Sequence, residues 1–231
     1  MASSLPTRHL SNIKFDIRTF NTSWLSLGIL FFVFIVALFE EYRKELVMIG
    51  IVLGALIFAA YYFMVRCRVM LTLTPTHLQQ HFFKGGWVLK WSNIQSIGLC
   101  EYGEQGWYKP LPWIGIKLKH YEPYLDGICP RIATEILLSQ RALLYLGAKQ
   151  FGKENDFENI VLDSSIYSPS DEKRYKGLQA MLANRMKYQR TYHGYDIFIS
   201  TSDLDRSGEE FVGLARRYLA SAEPEFDTNS D

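Results

Sequence analysis

The chain has 231 residues, with 25 Lys+Arg against 24 Asp+Glu and a formal net charge of +1. That balance disfavours a nucleic-acid-binding domain, which needs a basic excess to neutralise phosphates. Residues 21–39 and 46–65 carry no charge, and about 20 apolar residues are enough to cross a hydrocarbon core of about 30 Å, so a simple soluble enzyme is excluded.

Residues 1–20 read as a cytoplasmic N-terminal segment with Arg8, Lys14 and Arg18. The apolar run that follows is longer than a signal-peptide core and lacks a small-x-small cleavage site. Only Glu40-Glu41-Tyr42-Arg43-Lys44-Glu45 separates it from the second run. So short a link joins antiparallel neighbours, and residues 21–65 are expected to form a transmembrane helical hairpin. Cations flank it on both outer sides, with Arg66 and Arg68 after the second run. By the positive-inside rule both termini are expected in the cytoplasm. Trp24, Tyr42, Tyr61 and Tyr62 fall near the expected interfaces. Neither span contains an ionisable residue, which fits an anchor better than a transporter. Gly50 and Gly54 form one GxxxG, which suits packing of the two spans or a dimer.

From residue 66 the apolar period becomes two. Val69, Leu71 and Leu73 alternate with Met70, Thr72 and Thr74, and Leu78, Gln80 and Phe82 with Gln79, His81 and Phe83. Gly85-Gly86 predicts a hairpin turn before residues 87–91. Strands are expected at 94–101 and 113–119, with residues 103–112 as a Gly/Pro loop, giving an antiparallel meander of about five strands. A helix is predicted over 131–146, opened by Pro130. A strand follows at 157–162, a helix at 171–190, and a late strand at 197–200. Ser207 and Glu210 form a capping box before a helix over about 208–222. The acidic tail, 223–231, reads as disordered.

This order resembles a pleckstrin-homology-like domain of the bacterial kind. Leu71-Thr72-Leu73-Thr74-Pro75-Thr76-His77-Leu78 is similar to the family's opening strand and turn. Trp91-Ser92-Asn93-Ile94-Gln95-Ser96-Ile97 is similar to its W-x-x-I-x-x-I stretch, and Ile199 to Leu214 to its last strand and helix start. The helices at 131–146 and 171–190 depart from that pattern and read as insertions. The whole plan resembles a small uncharacterised family of bacterial inner-membrane proteins. The expected fold class is therefore α+β: a transmembrane hairpin, then a cytoplasmic PH-like domain over 66–222 with inserted helices and a closing helix. The resemblance implies an inner-membrane location and a binding or scaffold role. It implies no catalytic residues.

The chemistry in the sequence agrees with a non-catalytic reading. There is no G-x-S-x-G, H-E-x-x-H or P-loop pattern. His77 and His81, on one strand, would stand about 13 Å apart, too far for one metal. Cys67, Cys100 and Cys129 show no zinc spacing and read as free thiols. No catalytic site, metal or cofactor is expected. Two basic groups are candidate sites for lipid or partner binding. One is Lys84, Lys90, Lys117 and Lys119, expected on neighbouring strands. The other is Lys173, Arg174, Lys176, Arg185, Lys187 and Arg190, expected on one helix that could lie on an anionic membrane surface. The expected partners are the membrane itself, anionic lipid headgroups, and a membrane protein or a second copy. A structural subunit of an inner-membrane complex is the alternative role, and a membrane-bound enzyme a more distant one.

Overall fold

The computed structural model describes residues 5–12, 22–39, 41–104, 107–169 and 173–222. The expected disordered tail lies outside them. The chain divides into two compact units: Ile13–Arg68, and the remainder.

In the first unit, α1 (Thr22–Leu38) and α2 (Arg43–Arg66) follow the two apolar runs. Among the described residues, only α2 forms a helix long and apolar enough to cross a membrane. None of its residues is buried by protein. The helices meet at Gly50, where an added Cβ would stand 2.5 Å from Phe32 Cζ, while one at Gly54 would meet nothing within 4 Å. The glycine motif thus contributes one close contact inside the pair.

The second unit is mixed α/β and built on two antiparallel sheets. The first has the order β1 (Arg8–Ser11), β2 (Met70–Leu73), β3 (His77–Phe82) and β4 (Gly85–Lys90). The second joins β5 (Ile94–Glu104), β6 (Trp107–Leu118) and β7 (Ile197–Ser200). The five consecutive strands expected are β2 to β6 and the expected late strand is β7; the strand not expected is β1, which lies within the N-terminal segment. It pairs with β2 from Arg8↔Leu73 to Ser11↔Met70. Asn12 N donates to Val69 O at 3.3 Å and Val69 N to Asn12 Oδ1 at 3.0 Å. Asn12 and Val69, the residues that flank the inserted unit in sequence, are therefore held together beside the first sheet.

Three local expectations change. The β3–β4 turn is Phe83-Lys84, with Gly85 already paired to Phe82. The described residues between 103 and 112 lie in β5 and β6 and not in a loop, and Glu101 pairs with Pro110. Proline is tolerated there because β7 covers only Trp113–Ile116 of β6, so Pro110 and Pro112 lie on an edge. Residues 157–162 form a helix.

The helices lie between β6 and β7, and after β7. They are α3 (Glu122–Gly127), α4 (Pro130–Ser139), α5 (Arg141–Gln150), α6 (Phe157–Leu162), α7 (Gly177–His193) and the closing α8 (Gly208–Ser221). The single helix expected over 131–146 breaks at Gln140, whose amide donates to Phe198 O at 3.2 Å. The helix expected from residue 171 begins at Gly177, and the described residues before it, 173–176, include a bridge between Tyr175 and Tyr167. Gly194 ends α7 at φ +78°, the left-handed cap that glycine adopts without strain. The Ser207 hydroxyl accepts from Glu210 N at 3.2 Å, as the capping pattern predicts.

One main core joins both sheets, α3, α4, α7 and α8. Trp91 stacks on Tyr218 with centroids 5.8 Å apart and donates its indole N–H to Thr74 O at 2.7 Å. Leu10 enters this core from β1.

Candidate functional site

The basic candidates do not form two patches. Lys84 lies in the β3–β4 turn and Lys90 ends β4, at the opposite end of that strand. Lys117 is on β6, in the other sheet, so the lysines expected on neighbouring strands are divided. Lys173, Arg174 and Lys176 are exposed in the stretch before α7.

Arg185 was expected on a lipid-facing surface and is buried, at 3% exposure. Its Nη1 donates to Leu137 O at 3.3 Å and its Nη2 to Val161 O at 3.2 Å. These carbonyls lie in the last turns of α4 and α6, where intrahelical donors run out and the helix dipole is negative. Burial lowers the Arg185 pKa to about 10, with Arg141 adding to the effect. The apolar face of α7 is also committed inward, with Leu182, Ala183 and Met186 in the core. The helix therefore cannot lay an apolar face on a membrane.

Three candidates do converge. Lys119, Lys187 and Arg190 line one open groove of about 450 Å³ with His120, Tyr121, Glu122, Tyr167 and Thr191. Lys119 and His120 follow β6, Lys187 and Arg190 come from α7, and Tyr167 comes from the segment after α6. Beneath the groove lies Asp196, whose side chain is fully buried. Its carboxylate accepts from Leu118 N at 2.7 Å, Tyr121 hydroxyl at 2.6 Å and Arg190 Nε at 2.6 Å. Arg190 Nη2 donates to the other oxygen and also to Leu118 O, the latter at 2.8 Å. This fork fixes the guanidinium and raises its pKa further. Burial, then the Asp196 contact, raises the Tyr121 phenol far above its ordinary value, so it stays protonated.

An aromatic column rises from this base. Arg190 lies 4.9 Å from the Tyr121 ring centroid, Tyr121 stacks on Tyr167 at 6.0 Å, and Tyr167 lies beside Tyr175 at 6.1 Å. Lys187 and Lys173 each sit 5.5 Å from a ring centroid, those of Tyr167 and Tyr175. Lys173 also pairs with Asp126 at 2.5 Å. The Tyr167 segment is held from behind. Asn184 Nδ2 donates to Ser165 O at 2.9 Å, and the Tyr188 hydroxyl to Asp163 at 2.9 Å. The Ser165 hydrogen bonds are the leading reason that Asp163 has a lowered pKa.

Sequence reasoning missed Asp196, Tyr121 and Tyr167. One local signal was present for Asp196: a carboxylate directly before a buried apolar run, Ile197-Phe198-Ile199. Such a charge needs partners, and the partners come from elements distant in sequence. The groove offers ammonium and guanidinium groups over polarisable rings, an environment suited to an oxyanion or a phosphate ester.

Fold and groove together define an α+β domain with a basic, tyrosine-walled cleft, on a chain that also carries an apolar helix of membrane-crossing length. A family of proteins of unknown function, DUF2982, matches residues 71–221, and the chain belongs to that family. No curated protein and no solved structure matches it.

Proposed function

We propose that this protein is a non-catalytic, membrane-anchored binding module whose groove recognises the phosphate of an anionic lipid headgroup. The observation that carries the reading is the convergence of Lys119, Lys187 and Arg190 on one groove, with Asp196 buried behind its Tyr121 and Arg190. Asp196 neutralises Arg190 and orients it, while Lys119 and Lys187 outweigh the Glu122 carboxylate and leave the lining net positive.

The anchor is read as the pair α1 and α2. Leu27, Leu30, Phe31 and Phe34 on α1 and Ile51, Leu53, Leu56 and Phe58 on α2 are all exposed. Lipid is the medium that would cover them. The pairing of Asn12 with Val69 supports an even number of crossings, since these residues flank the inserted unit and meet beside the first sheet. The flanking cations favour a cytoplasmic side for that sheet, here at a bacterial inner membrane. The four-plus-three strand arrangement with closing α8 supports a PH-like plan, with α3 to α7 inserted between its last two strands.

The test uses full-length protein in neutral nanodiscs, titrated with short-chain phosphatidylglycerol and, separately, with inorganic phosphate. Saturable lipid binding that weakens with salt, and about tenfold or more in K119E/K187E, is the expected result. Phosphate binding alone would shift the ligand to a soluble phosphate. Lipid binding unchanged in the double variant would refute the groove as the site.

A further inference from the structure

We infer that the Phe83-Lys84 turn is a second membrane contact, seated in the headgroup layer of the bilayer that α2 crosses. The inference rests on the membrane reading of α2 and goes beyond the groove.

Strand register carries it. Ser11 pairs with Met70, Met70 with His81, and His81 with Gly86. These residues mark one end of the first sheet. At that same end the chain leaves the sheet after Asn12 and re-enters at Val69. Strands lie about 4.8 Å apart with a rise of about 3.3 Å per residue, which places Phe83 within roughly 10 Å of Val69. Only Cys67 and Arg68 separate Val69 from the end of α2. A link of two residues limits Val69 to a reach of about 11 Å from Arg66, the last residue of α2.

The turn has the composition for that position. Phe83 is 51% exposed, although its neighbour Phe82 packs on the core. Lys84 beside it is exposed. An uncovered aromatic ring next to a lysine suits the headgroup layer, where the ring partitions and the ammonium meets phosphates. The opposite turn, Thr74-Pro75-Thr76, is polar and is closed on itself by Thr74 and His77. The two ends of the sheet thus differ in the sense a nearby membrane requires. This gives Lys84 a role separate from the groove lysines, from which the fold divides it.

The test uses the full chain in liposomes, with Cys67 and Cys129 changed to Ser. Cys100 is buried, and burial pushes its thiol up to about 12, so it escapes labelling. A polarity-sensitive fluorophore is placed in turn at Phe83→Cys, Thr76→Cys and Leu53→Cys. Nitroxide lipids then report depth. The expected result is deep quenching at 53, shallow quenching at 83 at least about twice that at 76, and emission typical of water at 76. Quenching at 53 with 83 matching 76 would overturn the turn contact and leave the anchor standing. No quenching at 53 would overturn both.

Discussion

Replacing Asp196 by Asn tests the reasoning about the groove most directly. The change keeps volume and one acceptor but removes the charge, and it presents an amide N–H₂ toward Arg190 or Tyr121, both of which are donors. The lost partners are Tyr121 at 2.6 Å, Leu118 N at 2.7 Å and two guanidinium contacts. A buried hydrogen bond to a charged group contributes about 1.5–3 kcal/mol. Arg190 is 35% exposed, so its share is discounted toward the ~0.2–1 kcal/mol of a solvated pair. The expected loss is about 3 kcal/mol, or about 6–12 °C in Tm for a domain of this size. Thermal unfolding of the full chain in detergent, followed by near-ultraviolet circular dichroism, measures it. Tyr121→Phe should cost about 1 kcal/mol in the native background and little in D196N, because the phenol has then lost its anionic acceptor. A shift under about 1 °C for D196N, or equal effects of Y121F in both backgrounds, would refute the account.

Four further outcomes are expected. Arg185→Met leaves the Leu137 and Val161 carbonyls unpaired and should cost about 1–3 kcal/mol, with limited proteolysis appearing first near α6. Asp203, whose carboxyl is pushed up by burial and only partly relieved by the Gln80 amide, binds its proton more tightly folded than unfolded. Its stabilising contribution is complete below the unfolded carboxylate pKa and is lost as pH rises through the folded one, so D203N should stabilise the protein at pH 7 and not near pH 4 in urea titrations. Gly50→Leu should lower the detergent melting temperature because Phe32 occupies the space, while Gly54→Leu should not; equal losses would contradict the observed packing of α1 on α2. Leu10→Ala should cost about 2–4 kcal/mol by urea unfolding, although Leu10 is separated from the rest of its core by the whole inserted unit; an unchanged midpoint would mean that β1 does not dock.

Legibility in the sequence tracked the range of the interactions. The two apolar runs, the alternating strands and the cap at Ser207 are local patterns, and each appears close to its expected place. The strand expected at 157–162 fails because Phe-Glu-Asn-Ile-Val-Leu looks β-prone in isolation. In the fold Ile160 packs with Leu144, Ala148 and Tyr192, contacts that hold a helical turn. Strand β1 was invisible because the strand it pairs with, β2, begins near residue 70. Arg185 read as a surface cation because arginine seldom goes inside. Its acceptors are two backbone carbonyls on other helices, which no local pattern announces. The groove drew on four separate segments, so its three cations were identified while its carboxylate and its stacked tyrosines were not.

The position of the anchor has a consequence for assembly. Strand β1 is the edge strand of its sheet and covers the hydrogen-bonding edge of β2, beside buried Leu71 and Leu73. Docking it closes a loop over residues 13–68, and for a flexible loop of that length the closure entropy is about 3–4 kcal/mol. On the membrane reading proposed above, an inserted helical pair returns both ends to one face and removes much of that entropy before β1 docks. A chain threaded with an odd number of crossings would place β1 across the bilayer from β2 and leave a hydrophobic edge unpaired, which favours aggregation or proteolysis. Completion of the sheet would then depend on correct insertion of the anchor. Only chains threaded with an even number of crossings would present a finished domain, groove included, to its ligand.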